Sequence, residues 1–263
     1  MKILTLNLHC FAEEELQRNQ DIISTFIAEE EIDVVFFQEV SQFINSPVYE
    51  EPIKKGNYGL EISNRLEALG YSYDYYYDYG NQAFGNQEEG LAILSKTRLG
   101  RKESFYVSRE TSYDKYWTRK IVKASIKYNN EVIDLISVHL GWTGFDEVFE
   151  EQVDELMKHV DPNVTTILAG DYNVSEDSKE YEYIINKNLY DLYYNGEKQY
   201  FHDYTHQPYI DVKKEAKRID YVLSNKPFKT LEREIVFKDI QVSDHYGVYI
   251  EIEEEWVWYQ EEI

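Results

Sequence analysis

The stretch TTILAGDYN, residues 165–173, couples a strand-like run to a polar end. Thr165 through Ala169 are β-branched or apolar, the composition of a buried strand. A plain strand end would need only a turn residue such as Gly170, yet Asp171 and Asn173 follow, separated by Tyr172. Residues two apart on an extended chain share a face, so the carboxylate and carboxamide are expected to point the same way. The pattern recurs. LISVH (135–139) ends at His139, and a helical stretch near 145–159 links it to TTILAGDYN.

The N-terminal part repeats that order. TLNLH (5–9) ends in Asn7 and His9. Leu16, Ile22, Ile23, Phe26 and Ile27 are close to helical spacing within 13–31, and DVVFFQE (33–39) ends in Gln38 and Glu39. In sheet-and-helix proteins, ligands commonly sit at one end of the strands. Two strand–helix–strand units facing each other would therefore converge Asn7, His9, Glu39, His139, Asp171 and Asn173 on one site. The fold class expected is α/β, with two packed mixed β-sheets and helices outside.

Further strands are expected at GLAILSK (90–96), 103–108, 117–128, RIDYVLS (218–224) and HYGVYIEIE (245–253), and a helix near 60–69. Residues 41–59, with Pro47, Pro52, Gly56 and Gly59, have the composition of a surface loop. The stretch 200–217 is also loop-like. The tyrosine-rich segment 71–79 is expected to pack in a sheet. No low-complexity linker divides the 263 residues, so one domain, 1–263, is expected.

Composition bounds the function. Hydrophobic residues make up 43% of the chain, enough for a sizeable core. Cys10 is the only cysteine, which excludes an intramolecular disulfide. Neither a secretory signal nor a membrane-length apolar run is present in the sequence, so a cytoplasmic location is expected. A formal net charge of −23 repels polyanions at long range. The basic clusters Lys96-Arg98-Arg101-Lys102, Arg119-Lys120 and Lys213-Lys214-Lys217-Arg218 are short and suit solvated surface. Extended nucleic-acid binding is disfavoured without being excluded.

The motifs TLNLH, FFQEV, GLAILSK, SVHLGW, GDYNV, RIDYV and SDHYGV occur in this order. Singly each is weak; together they resemble the endonuclease/exonuclease/phosphatase superfamily over roughly residues 2–252. HLGW and LNLHCFAEE look most like a bacterial, sphingomyelinase-like (RgfB-like) branch. The resemblance implies a four-layer, DNase I-like sandwich and a Mg²⁺- or Mn²⁺-dependent phosphoesterase. Its substrate would be a small-molecule or lipid-headgroup phosphoester, with nuclease activity as the alternative and a catalytically silent regulatory module as a third reading.

By that resemblance, Glu39 is the first metal ligand, with Asn7 and Asp244 beside it. Asp171 would orient or deprotonate the attacking water, and Asn173 would hold a nonbridging oxygen. His245 is expected to pair with Asp220, and His139 with Glu89, although Glu88 is one residue away. Arg119 resembles a phosphate-contacting arginine, and Asn7 also lies where a phosphate contact is expected. Phosphoester hydrolysis needs such a set: a hard cation, an activated water, and donors for developing charge. His9 suits phosphate or metal contact and simple packing equally. His159 is expected at the surface. His202 and His206 lie in a loop that could touch substrate, and Trp256 and Trp258 are expected to pack on the body.

Overall fold

The computed structural model describes residues 1–144, 147–194, 204–206 and 217–253. His202, Lys213, Lys214, Trp256 and Trp258 lie outside the described residues. In chain order the elements are β1 (Lys2–Asn7), α1 (Leu16–Glu29), β2 (Val34–Phe43), β3 (Val48–Glu50), β4 (Ile53–Lys54), α2 (Tyr58–Ala68), β5 (Asp74–Ala83) and β6 (Gln87–Ser95). They continue with β7 (Lys102–Tyr106), β8 (Lys120–Tyr128), β9 (Glu131–His139), α3 (Phe149–Met157), β10 (Thr165–Asp171), α4 (Lys179–Ile185), β11 (Tyr190–Asp191), β12 (Asp220–Ser224), β13 (Thr230–Val236) and β14 (Gly247–Ile252).

Two six-stranded mixed sheets result, ordered β13-β14-β1-β2-β6-β5 and β11-β12-β10-β9-β8-β7. The two repeated units are real βαβ crossovers. β1 pairs parallel with β2, and β9 pairs parallel with β10. Each unit forms the middle of its own sheet, so both of its strands are covered on both faces and are apolar almost throughout. On β1 and β2, Ile3, Val34 and Phe36 join the core that extends into the second sheet, whereas Leu4, Leu6, Val35 and Phe37 pack with α1 and α2. The polar Thr5 and Gln38 face inward too, and there Gln38 Nε2 donates to Ser137 Oγ of β9 at 3.2 Å. The sheets are thus joined by hydrogen bonds as well as by packing.

Several local expectations change. Residues 41–59 are not a plain loop: β2 runs on to Phe43, β3 and β4 pair as a small hairpin, and α2 begins at Tyr58. Asn57 caps that helix by accepting from the Leu60 amide at 3.0 Å, a short polar signal that proline and glycine content outweighs in the sequence. The edge strand β13 carries Glu232, Arg233 and Glu234 among its apolar residues, which hides it from a hydrophobic pattern. Arg218 is not a solvated cation. It is fully buried, pairs with Glu176 and Asp191 at 2.6 Å each, and lies over the rings of Tyr194 and Tyr221. Among the described residues, no helix is long and apolar enough to cross a membrane.

Gly170 is likewise not a turn residue. It lies inside β10 with φ +152°, and a Cβ there would sit 1.9 Å from the Val138 carbonyl oxygen of β9. No flexible side chain can give way, because the obstacle is backbone. Gly170→Ala is expected to cost at least about 2–3 kcal/mol of stability, through overpacking between two central strands. Urea unfolding of the two proteins tests this; equal midpoints and slopes would mean the strands separate freely at that point.

Candidate active site

The carboxyl ends of β1, β2, β9 and β10 bring the polar residues of both units together between the sheets. Asn7 ends β1, and its amide nitrogen is the bridge. It donates to Glu39 Oε1 at 3.0 Å and, across to the other sheet, to Asp171 Oδ2 at 3.1 Å. Its oxygen accepts from the His9 backbone at 2.9 Å. Glu39 does not end a strand, as the sequence suggests. It stands at a register shift between β2 and β6, with φ +49°. A bulge of this kind bends the strand and re-aims one side chain.

Asp171 and Asn173 do meet, though not by strand alternation. β10 stops at Asp171, and Asn173 adopts φ +55° and donates its backbone amide to Asp171 Oδ1 at 2.8 Å. This is a side-chain-closed turn of the type Asp and Asn favour. Tyr172 between them is fully buried. The Asn173 Nδ2 donates to the Leu140 carbonyl at 2.9 Å, and its Oδ1 is buried without a partner among the described residues. The carboxamide thus offers an acceptor toward the cleft, beside the one N–H left on its nitrogen.

His245, just before β14, donates or accepts through Nδ1 with Asp220 Oδ2 at 2.9 Å, and its Nε2 lies 3.7 Å from Asp171 Oδ2. Burial alone would lower the His245 pKa, but the Asp220 and Asp171 carboxylates raise it to about 10. The second imidazole is tuned oppositely. Burial, then the Arg119 and His245 charges, push His139 well below the ordinary histidine range. At neutral pH the cleft therefore holds one imidazolium and one neutral imidazole. Histidine NMR titration should show His245 charged until pH approaches 10 and His139 neutral well below pH 6.5. The raised pKa means that His245 stabilises the fold below its unfolded value, and that this contribution is lost as pH rises through about 10. Titration of both rings near pH 6.5 would contradict this arrangement.

The second pair departs from expectation. His139 Nδ1 stands 3.9 Å from Glu89 Oε1, a contact too long for a direct hydrogen bond. Glu89 rather than Glu88 is the neighbour, because alternation along β6 turns Glu88 to the opposite face. There Glu88 accepts from Gln42 Nε2 at 2.8 Å and pairs with Lys54 at 2.7 Å. Burial, then the Glu39 charge, raise the Glu89 pKa to about 7, and burial, then the Asp220 charge, raise that of Asp171. Arg119 lines a small pocket with Asn81, Glu89 and His139, and its Nε is buried without a partner among the described residues. An unspent guanidinium N–H beside these groups suits an anionic oxygen.

The carboxylates of Glu39, Glu89 and Asp171 crowd one another here, which fits a hard divalent cation, while Asn7 turns its amide nitrogen rather than its oxygen toward Glu39 and Asp171. Asp244 is placed differently from the sequence expectation. It gathers with His9 and Glu13 on one side and with His206 and His245 on the other, whereas Glu39 gathers with Cys10 and Glu89. By sequence His206 is a loop histidine that could touch substrate. Backbone pairing with Lys217 and His245 delivers it to the cleft, its ring 4.8 Å from that of His245 and edge-on to the exposed Trp142. A pairing across some 40 residues leaves no local signature. His159 lies away from the cleft, stacked on Phe105.

Two facing mixed sheets with carboxylates and imidazoles gathered between their strand ends define a DNase I-like α/β sandwich. The chain belongs to the endonuclease/exonuclease/phosphatase family, whose profile matches residues 4–245 and whose members hydrolyse phosphoester bonds. Among solved structures, it is similar to an endonuclease/exonuclease/phosphatase family protein from Leptotrichia buccalis, at 29% identity and TM-score 0.89 over 96% of this chain and 99% of that one. The fold also matches a mannosyl-6-phosphatase of Bacteroides thetaiotaomicron, at 17% identity and TM-score 0.66 over 96% of this chain and 99% of that one. D. rerio TDP2 complexed with a single-strand DNA product matches at 17% identity and TM-score 0.68, over 96% of this chain and 98% of that one. No curated protein matches the chain.

Proposed function

We propose that the chain is a divalent-metal-dependent phosphoesterase that hydrolyses a P–O bond in a small-molecule or lipid-headgroup phosphoester. The observation that carries this reading is the convergence of Asn7 and Glu39 from one sheet with Asp171 and the His245–Asp220 pair from the other. Glu39 would hold Mg²⁺ or Mn²⁺, joined by Asn7 once its carboxamide turns its oxygen that way, with Asp244 nearby on the His9 side. The cation would supply positive charge to the phosphoryl oxygens.

The chain's own residues would do the rest. Asp171, raised in pKa by burial and Asp220, accepts the proton of the attacking water. Asn173 Oδ1, unpartnered among the described residues, accepts from that water, and the second N–H of its carboxamide would donate to a nonbridging oxygen. His245, held protonated by Asp220, stabilises developing charge, and neutral His139 donates a hydrogen bond to the phosphoryl group. Arg119 Nε, unpartnered among the described residues, donates to a phosphate oxygen.

The placement of the cations favours a small substrate. Of the basic clusters, Arg101 pairs with Asp134, Lys102 with Asp74, Lys120 with Asp78 and Lys217 with Asp177, while Arg218 is buried. These charges are largely neutralised locally, leaving little to track a phosphate backbone. The likeness of HLGW to a sphingomyelinase-like branch supports a lipid headgroup, and cytoplasmic action is part of the same reading. The test runs small phosphodiesters, phosphomonoesters and ~20-base-pair DNA side by side at two salt concentrations, with and without Mg²⁺ or Mn²⁺. Metal-dependent turnover of small esters is expected, with weak or absent DNA binding at physiological salt. Efficient DNA cleavage without small-ester turnover would replace this reading by a nuclease.

A further inference from the structure

Glu39 reaches the cleft because β2 breaks its alternation there. Val35 and Phe37 turn toward the helices, and Phe36 turns toward the second sheet. Strict alternation would send Gln38 inward, Glu39 outward and Val40 inward. Instead Val40 joins Phe37 on the helix side, and the register against β6 shifts between them. Phe37 pairs with Ala92 and Val40 with Gly90, so Gln38 and Glu39 together oppose Leu91, and Glu39 takes φ +49°. Such a torsion is uncommon for a residue other than glycine and persists where the surroundings over-determine it.

The first residue of the bulge carries the means. Gln38 lies fully buried between the sheets in a polar chain that the proposed chemistry does not use. Thr5 Oγ1 of β1 donates to Gln38 Oε1, Gln38 Nε2 donates to Ser137 Oγ of β9, and Ser137 Oγ donates to the Phe37 carbonyl, each at 3.2 Å. We propose that Gln38, clasped by Thr5 and Ser137, is a positioning residue that fixes the register of the bulge and so aims Glu39 into the cleft.

The choice of side chains supports this role. Three buried polar groups add little stability over apolar groups of the same shape, since their hydrogen bonds replace bonds to water. What they add is a single register. A slip of one residue exchanges the faces of a strand, and an apolar residue at 38 would pack in either arrangement. The Gln38 carboxamide must satisfy a donor and an acceptor, and facing inward it meets both. The clasp also stands directly beneath the cleft. Thr5 precedes Asn7 by two residues on β1, and Ser137 precedes His139 by two on β9, so each shares a face with the cleft residue above it. With the clasp formed, Glu39 Oε1 lies 3.0 Å from Asn7 Nδ2 and 4.0 Å from His139 Nε2.

This role rests on the proposed function in one respect, that Glu39 holds the cation, and two readouts keep the two apart. The variant Thr5→Val/Gln38→Met/Ser137→Ala removes every polar side-chain atom of the clasp, so none of the three is left buried and unpaired. Its urea midpoint is expected to equal or exceed that of the parent. The first readout is amide hydrogen exchange at Cys10, whose N–H donates to the Glu39 carbonyl at 3.1 Å. Protection there should fall by about 10-fold or more while that of β10 stays the same, a local change that loss of packing alone would not give. The second is Mn²⁺ binding to the metal-stripped full-length protein, followed by electron paramagnetic resonance without substrate. Affinity should weaken by about 10–100-fold, as for other residues that orient a ligand. Unchanged Cys10 protection in the folded variant overturns the role of Gln38, whatever the metal does. Lost protection with unchanged Mn²⁺ affinity, or with no Mn²⁺ bound by the parent, keeps Gln38 as the lock of the bulge and strikes Glu39 as the cation ligand instead. Should the triple variant fail to fold, Ser137→Ala, which deletes one oxygen, is read in the same way.

Discussion

Glu39→Gln is expected to abolish metal-dependent turnover while leaving the fold intact. The substitution keeps the volume and the hydrogen-bonding reach of the side chain, including an oxygen for Asn7 Nδ2, now at 3.0 Å from Glu39 Oε1. What it removes is one negative charge from the group that would hold the cation. Metal polarisation supplies several kcal/mol of transition-state stabilisation, so a loss on the order of 10³-fold or more is expected at saturating substrate. A second effect follows from electrostatics. The Glu39 charge, after burial, is what raises the Glu89 pKa, so in the variant Glu89 should ionise at lower pH. Initial rates across a Mg²⁺ titration, with thermal unfolding as the fold control, measure the first effect. Equal turnover of the two proteins would remove Glu39 from the ligand set.

His245→Ala should cost about 10²–10⁴-fold in rate, the usual contribution of a positioned acid–base group. The imidazolium lies between two buried carboxylates, with Nδ1 on Asp220 and Nε2 facing Asp171. Removing it leaves Asp171 and Asp220 to repel each other, so part of the loss belongs to the ionisation of Asp171. The pH profile separates these causes. In the parent, activity should fall as pH drops through about 7, because Asp171 takes up a proton, and again as pH rises toward 10, where His245 loses one. In His245→Ala the alkaline limb should vanish and the acidic limb should move upward, since a charge that lowers the Asp171 pKa is gone. Asp220→Asn offers the milder test, with His245 titrating closer to its ordinary value. A profile unchanged in both variants would assign His245 a packing role only.

The sequence by itself determined the two βαβ units. Continuous apolar runs with polar ends can be read locally, since burial on both faces dictates composition residue by residue, and so Asn7, His139 and Asp171 were recognisable as strand-end residues. Pairing of His245 with Asp220 was legible through motifs that the family resemblance supplied. Tertiary structure alone decided how these residues point. Glu39 is aimed by a bulge and Asn173 by a side-chain-closed turn, both of which place a non-glycine residue at positive φ, a conformation that residue type and spacing do not encode. Selection of Glu89 over Glu88 depended on the face of β6 that meets the second sheet. Arrival of His206 beside His245 and Asp244 depended on a backbone pairing between segments far apart in the chain. Local composition records whether a residue is buried; which residues meet across a cleft is set by strand register and backbone torsion, quantities that exist only once both sheets have assembled.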